Sequence, residues 1–134
     1  MKLSESIFKA YDVRGLYPFE INEGTVFEIS KKISRHWRRK SKIVIGRDAR
    51  LSSPALHAAL IAGLSQDGNA IKIIDAGEIT TPMLYFLVNK LRADGGIMLT
   101  ASHNPKEYNG LKVVGKNAEP ISGKEILRIL NKKS

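Results

Sequence analysis

The chain has 134 residues, 43% hydrophobic and 26% charged, a size and balance that fit one soluble globular domain with a real core. It has no cysteine, which excludes a disulfide framework and a thiolate metal site. The net charge of +9 favours anionic partners in general: nucleic acid, acidic lipid or phosphorylated metabolites. The N-terminus lacks an apolar signal core and no apolar run reaches the roughly 18 residues of a membrane span, so a cytoplasmic protein without membrane contact is expected.

In chain order, Phe8-Lys9-Ala10-Tyr11 reads as a short strand, with Asp12-Val13-Arg14-Gly15 as its loop. A helix follows from about Asn22, a plausible N-cap, to Arg39. Val26, Ile29, Ile33 and Trp37 are spaced 3, 4 and 4 and form one apolar stripe. The basic cluster from Lys31 to Lys42 mostly falls off that stripe, so it reads as a solvated helix face in preference to a nucleic-acid surface. Ile43-Val44-Ile45 marks a strand buried on both faces, and Gly46-Arg47-Asp48-Ala49-Arg50 its loop. Ser52-Ser53-Pro54 opens a second helix, with a serine cap and proline in the first turn; Leu56, Leu60 and Leu64 keep its period, and Gly68 closes it.

The unit then repeats. Ala70 to Ile74 is a strand and Asp75-Ala76-Gly77 a loop. Thr81-Pro82 opens a third helix carrying Met83, Phe86, Leu87 and Leu91, and Asp94-Gly95-Gly96 turns into the strand ending at Leu99. Leu111 to Val114 reads as an edge strand. Ser122 with Glu125 three residues on forms a capping box for a last helix through Ile126, Ile129 and Leu130 to Lys132-Lys133-Ser134. The alternation predicts a single three-layer α/β/α domain over residues 1–134, with a mostly parallel mixed sheet of about four strands and an antiparallel edge strand. Its βα loops gather on one edge Arg47, Asp48, Arg50 and Ser102, with Arg14 joining from the first loop.

Chemistry concentrates in Thr100-Ala101-Ser102-His103-Asn104-Pro105, at a strand tip, with Lys112 ten residues beyond Ser102. Arg14, Arg47 and Arg50 are forked donors suited to phosphate or carboxylate. Lys112 is a point-charge donor, or a base if cationic neighbours or desolvation lower its pKa. Ser102 and His103 do not read as nucleophile and base, because adjacent residues in an extended loop point apart and no Gly-x-Ser-x-Gly elbow surrounds the serine. Phosphoryl chemistry, which needs chiefly positioning and positive charge, fits better.

Three segments carry a resemblance: Phe8 to Gly15, Gly46 to Ser52, and Thr100 to Pro105 with Tyr108-Asn109-Gly110. Together they resemble the α-D-phosphohexomutases, on the phosphomannomutase/phosphoglucomutase side, over nearly the whole chain. The resemblance implies that Ser102 carries a phosphoryl group and exchanges it with mannose or glucose 1- or 6-phosphate through the 1,6-bisphosphate. It implies Arg14 and Lys112 in acid–base and charge-stabilising roles. His103 and Asn104 would shape the loop and contact substrate, Tyr11 and Arg47 would support the site, and Mg²⁺ would bind a phosphoserine oxygen at Ser102. Such enzymes have four domains and this chain resembles the first. Their aspartate-rich metal loop has no counterpart among the isolated aspartates at 12, 48, 67, 75 and 94. The expectation is therefore a phosphoserine-bearing domain, inactive alone, whose partners include the missing downstream domains. The alternative is a free-standing phosphosugar-binding or regulatory module. A domain cut from its neighbours should expose an apolar patch, expected at Ile126, Ile129 and Leu130.

Overall fold

In the computed structural model, which describes residues 3–66 and 70–132, a three-layer α/β/α sandwich surrounds a mixed sheet. The strands are β1 (Val13–Leu16), β2 (Lys42–Arg47), β3 (Lys72–Glu78), β4 (Gly95–Leu99), β5 (Tyr108–Val114) and the short β6 (Pro120–Ile121). Their order is β1-β5-β4-β2-β3, with β6 beside β5. β3, β2 and β4 run parallel, while β5 is antiparallel to both β4 and β1. The expected fold class holds, with two differences. The sheet has six strands among the described residues, and β5 lies inside it instead of at an edge. The first strand is also displaced: Val13 to Leu16 pairs with β5, whereas Phe8 makes only an isolated bridge to Val13. Pairing with β5 supplies the ladder that this short segment could not announce by its own pattern.

The four helices are α1 (Glu23–Ser34), α2 (Ser53–Leu64), α3 (Thr81–Lys90) and α4 (Gly123–Asn131). Asn22 caps α1 as expected, in a reciprocal box with Thr25. That helix stops at Ser34, earlier than the apolar stripe suggests, yet Trp37 still packs into the core beyond it. Ser52 does not cap α2 with its side chain; the hydroxyl accepts instead from the Asn109 amide at 2.8 Å. Ser122 caps α4 through the Glu125 amide, while the Glu125 carboxylate turns to Arg128. Gly68, Lys133 and Ser134 lie outside the described residues.

The two faces of the sheet are covered unequally. Val26, Ile29 and Ile33 of α1, Leu56, Leu60 and Leu64 of α2, and Ile126 and Leu130 of α4 pack in one core with Val13, Ile43, Ile45, Ile97, Leu99, Leu111 and Val113. The other face carries a smaller core: Leu84 and Val88 of α3 against Val44, Met98 and Val114. The expected apolar patch on α4 is therefore not found, because Ile126 and Leu130 are buried and Ile129 is half-buried. Among the described residues the exposed large apolar side chains are Tyr11, Leu16, Phe19, Leu51, Met83 and Phe86. Met83 and Phe86 fall on the solvent side of α3, since Leu84 and Val88 form its buried stripe.

Helices α1 and α2 meet at Gly63, where an added Cβ would collide with the Ser30 hydroxyl and the Phe27 carbonyl. Both contacts belong to α1, one of them backbone, so little can yield. Gly63→Val is expected to lower the unfolding free energy by about 3 kcal/mol, measured by urea denaturation. A loss within about 0.5 kcal/mol would show that the helices separate freely.

Candidate active site

Ser102 stands just beyond the C-terminal end of β4, on the edge where the β2 and β3 loops also emerge. Its φ of 56° lies in the left-handed region, a conformation that costs a non-glycine residue roughly 1–2 kcal/mol. The loop is held there by hydrogen bonds from outside it. Arg50 donates from Nη2 to the Ser102 and Asn104 carbonyls at 2.9 and 2.8 Å. From Nη1 it donates to the Pro105 and Tyr108 carbonyls at 2.6 and 3.0 Å. Its Nε donates to Asp48 Oδ2 at 3.1 Å. All five guanidinium N–H bonds are thereby used. Within the loop, the Ser102 amide donates to Thr100 Oγ1 at 2.9 Å and the Asn104 side chain to the Ala101 carbonyl at 2.8 Å.

This arrangement corrects one expectation: Arg50 is not available to a phosphate, because every donor it has is already bonded, four to backbone carbonyls and one to Asp48. It also pairs Asp48 with Arg50 and not with Arg47. Asp48 Oδ1 accepts in addition from the Ser53 hydroxyl at 2.8 Å. The fully buried Asn109 amide donates to the Ser52 and Ser53 hydroxyls. The start of α2, the tip of β2 and the start of β5 are thus one polar unit beneath Ser102. Sequence reading missed Thr100, Arg50 and Asn109 as the residues that set the loop. Only the adjacency of Tyr108-Asn109-Gly110 to the serine segment hinted at the last.

Arg14 and Lys112 come together on the thinly covered face. In the ladders Arg14 is opposite Gly110, and Lys112 is two residues along the same strand, so both project to one side. The Thr100 amide bonds the Gly110 carbonyl, which puts Arg14 level with the base of the Ser102 loop, two strands away. Both side chains are half-buried. Beside Arg14 lies Asp12, only 4% exposed, its Oδ1 3.5 Å from Arg14 Nε. Its Oδ1 is buried with no hydrogen-bond partner. Burial pushes the Asp12 carboxyl above the usual carboxylate range, although Arg14, Lys112 and Lys9 each pull it back down.

The remaining expected residues are more scattered. Arg47 ends β2, and no hydrogen bond or ion pair joins it to the Ser102 loop; its Nε is buried without a hydrogen-bond partner. His103 is exposed on the loop, and Asn104 is half-buried as part of it. Tyr11 is 78% exposed, so it does not support the site by packing. A hollow of about 320 Å³ lined by Asp48, Ala49, Glu78, Ile79 and Met98 lies on the same edge. Among the described residues no group of three or more His, Asp or Glu side chains could hold a metal ion. Ser102 alone offers one oxygen, too few for Mg²⁺; the residues present do not fit a metal centre.

Two outcomes follow. Arg50→Lys keeps a charge but loses the fork. Hydrogen exchange of the Ser102–Tyr108 amides should then rise by about tenfold or more, with α1 unaffected; unchanged exchange would mean the loop holds its own shape. For Asp12, a raised folded pKa means the folded state binds the proton more tightly than the unfolded chain. Its contribution is present at low pH and is lost as pH rises from about 4 through the folded pKa. Asp12→Asn should therefore gain in urea stability relative to the parent between pH 4 and 7. The opposite slope would show that the Arg14 pairing outweighs burial.

Comparison with known proteins agrees with this architecture. Residues 5–134 match the family described as phosphoglucomutase/phosphomannomutase, alpha/beta/alpha domain I. A protein named phosphohexose mutases from Xanthomonas campestris pv. campestris is 46% identical over 115 residues, covering 86% of this chain and 25% of its own length. A phosphomannomutase of Klebsiella pneumoniae is 45% identical over 121 residues, covering 90% of this chain and 75% of its own. A phosphoglucomutase/phosphomannomutase family protein from Burkholderia thailandensis superposes with a TM-score of 0.82 at 31% identity, over 96% of this chain and 30% of that one. The chain spans about a quarter of the length of the Xanthomonas relative. With its mixed sheet, its helix layers and its serine loop in place, the chain belongs to the phosphoglucomutase/phosphomannomutase family as an α/β/α domain I.

Proposed function

We propose that this chain is the phosphoserine-bearing domain of a phosphomannomutase/phosphoglucomutase, interconverting hexose 1-phosphate and 6-phosphate through a bisphosphate. The observation that carries the reading is the presentation of Ser102. Its hydroxyl stands at a strand tip on a left-handed residue whose carbonyl is clamped from behind by Arg50. A carrier serine must meet two different sugar oxygens in the same geometry, and a clamped loop keeps the phosphorus in one place between the two transfers.

In the forward half-reaction the Ser102 Oγ–P bond breaks and a P–O bond to the sugar hydroxyl forms, the hydroxyl proton passing to a base while Ser102 Oγ takes up a proton as it leaves. The reverse transfer returns the other phosphoryl group to Ser102 Oγ. Arg14 and Lys112 stabilise the charge on the transferring group and serve in the proton steps. His103 and Asn104 contact the sugar phosphate, and Arg47 offers its fork from the β2 tip. Mg²⁺ and the sugar grip come from outside these residues, so the 134-residue chain alone turns over no hexose phosphate.

The burial of Ile126 and Leu130 favours a second reading, a free-standing phosphosugar-binding or regulatory module, because α4 needs no neighbour to cover it. One experiment separates the two. The chain is incubated with glucose 1,6-bisphosphate and Mg²⁺, alone and with the downstream domains of a relative supplied in trans, and its intact mass is measured. The carrier reading expects a gain of one phosphoryl group that Ser102→Ala abolishes. Saturable binding to the chain alone with no mass gain under either condition would favour the module, and no mass gain with the downstream domains supplied would overturn the carrier reading.

A further inference from the structure

The edge of the sheet opposite Ser102 holds a concentration of positive charge that the proposed reaction does not use. The α1–β2 connection contributes His36, Arg38, Arg39 and Lys40, all exposed, and the turn after β5 contributes Lys116. Part of the basic run from Lys31 to Lys42 has an ordinary explanation. Lys31 and Lys32 lie in the last turn of α1, where cations complement the carbonyl end of the helix. Arg38, Arg39 and Lys40 lie beyond that turn, and among the described residues none has an acidic partner.

These charges border a concavity. His36, Trp37, Arg38, Ser41, Asp94 and Lys116 line a hollow of about 340 Å³. That is within the size range of small-ligand sites. Its wall is stiff: Trp37 is nearly buried and its indole packs on the backbone of Gly95, where a Cβ would come within 2.8 Å of the ring. The one acid in the lining is already engaged. Asp94 Oδ2 accepts the Lys42 amide at 2.8 Å, and Oδ1 lies 3.8 Å from Lys116 Nζ. The net charge facing the hollow is therefore positive.

We propose that this hollow is a second anion site, separate from the Ser102 edge, that binds a small phosphorylated ligand. Arg38 supplies a fork for two phosphate oxygens, His36 supplies a further donor from the same connection, and Lys116 supplies one from the facing turn. A small ligand fits the features better than a nucleic-acid strand does. The donors border one concavity of small-ligand size, and the aromatic ring there is packed away instead of being offered as a stacking platform. The site stands independently of whether Ser102 carries a phosphoryl group.

Trp37 is the only tryptophan in the chain, so its fluorescence reports on this hollow. Titrating the 134-residue chain with inorganic pyrophosphate, with chloride holding the ionic strength constant, should give a saturable change. Arg38→Gln combined with Lys116→Gln should weaken binding by about tenfold or more, with circular dichroism confirming the fold, while Lys124→Gln on the exposed side of α4 leaves it unchanged. No saturable change, or equal binding by the double variant, would overturn the site. Tighter saturable binding of a single-stranded oligonucleotide, lost in the same variant, would also overturn it, by making the surface a nucleic-acid one.

Discussion

Arg50 reaches from the loop after β2 to the segment between β4 and β5 and bonds four carbonyls, those of Ser102, Asn104, Pro105 and Tyr108, with one rigid, planar group. No other side chain could do this, because only a guanidinium carries five donors in a fixed fork. Three of the carbonyls it bonds, those of Ser102, Asn104 and Pro105, belong to a loop that has no ladder of its own, and the left-handed backbone of Ser102 would otherwise relax. Asp48 then orients the guanidinium, and Ser53 and Asn109 orient what surrounds it. The strand tips of β2 and β4 and the start of α2 are in this way fixed against one another. The site depends on a polar network built from three distant parts of the chain.

A second constraint comes from the unequal covering of the sheet. One face is sealed by α1, α2 and α4, and the other chiefly by α3 near β2, β4 and the end of β5. The upper part of β1 and β5 on that second face is left for half-buried polar side chains. Arg14 and Lys112 stand there, with Asp12 beside Arg14. A buried carboxylate with an unpartnered oxygen is a local cost to the fold, and the two cations above it partly offset that cost. The same carboxylate keeps positive charge gathered where an anion would be handled. Stability and chemistry are therefore in tension at Asp12, as they are at the strained backbone of Ser102.

The opposite edge of the sheet shows how charge alone misleads. The basic run from Lys31 to Lys42 reads as one helix face when its periodicity is followed from Val26 to Trp37. In the fold it divides. The lysines at the end of α1 serve the helix terminus, and the residues after Ser34 form an irregular connection whose charges border a concavity with Trp37 as its wall. A helix ends where its carbonyls find other partners, and here the end comes before the apolar stripe does.

Periodicity, caps and turn residues were enough to mark β2 and β4 as buried strands and to place the leucine stripe of α2 and the cap of α1, because each leaves a pattern over neighbouring residues. The serine loop was also legible, since an apolar run ending in a polar, turn-forming segment is a local pattern. Tertiary structure alone decided the rest. β1 is a strand because β5 pairs with it, and β5 is interior because β1 takes its outer edge. Arg50 became a clamp instead of a phosphate ligand because four carbonyls from a segment some fifty residues away came within its reach. Donor geometry of that kind has no periodicity to leave in the sequence. Residue types stated what chemistry was available, and only the packing of distant segments determined which groups were left free to perform it.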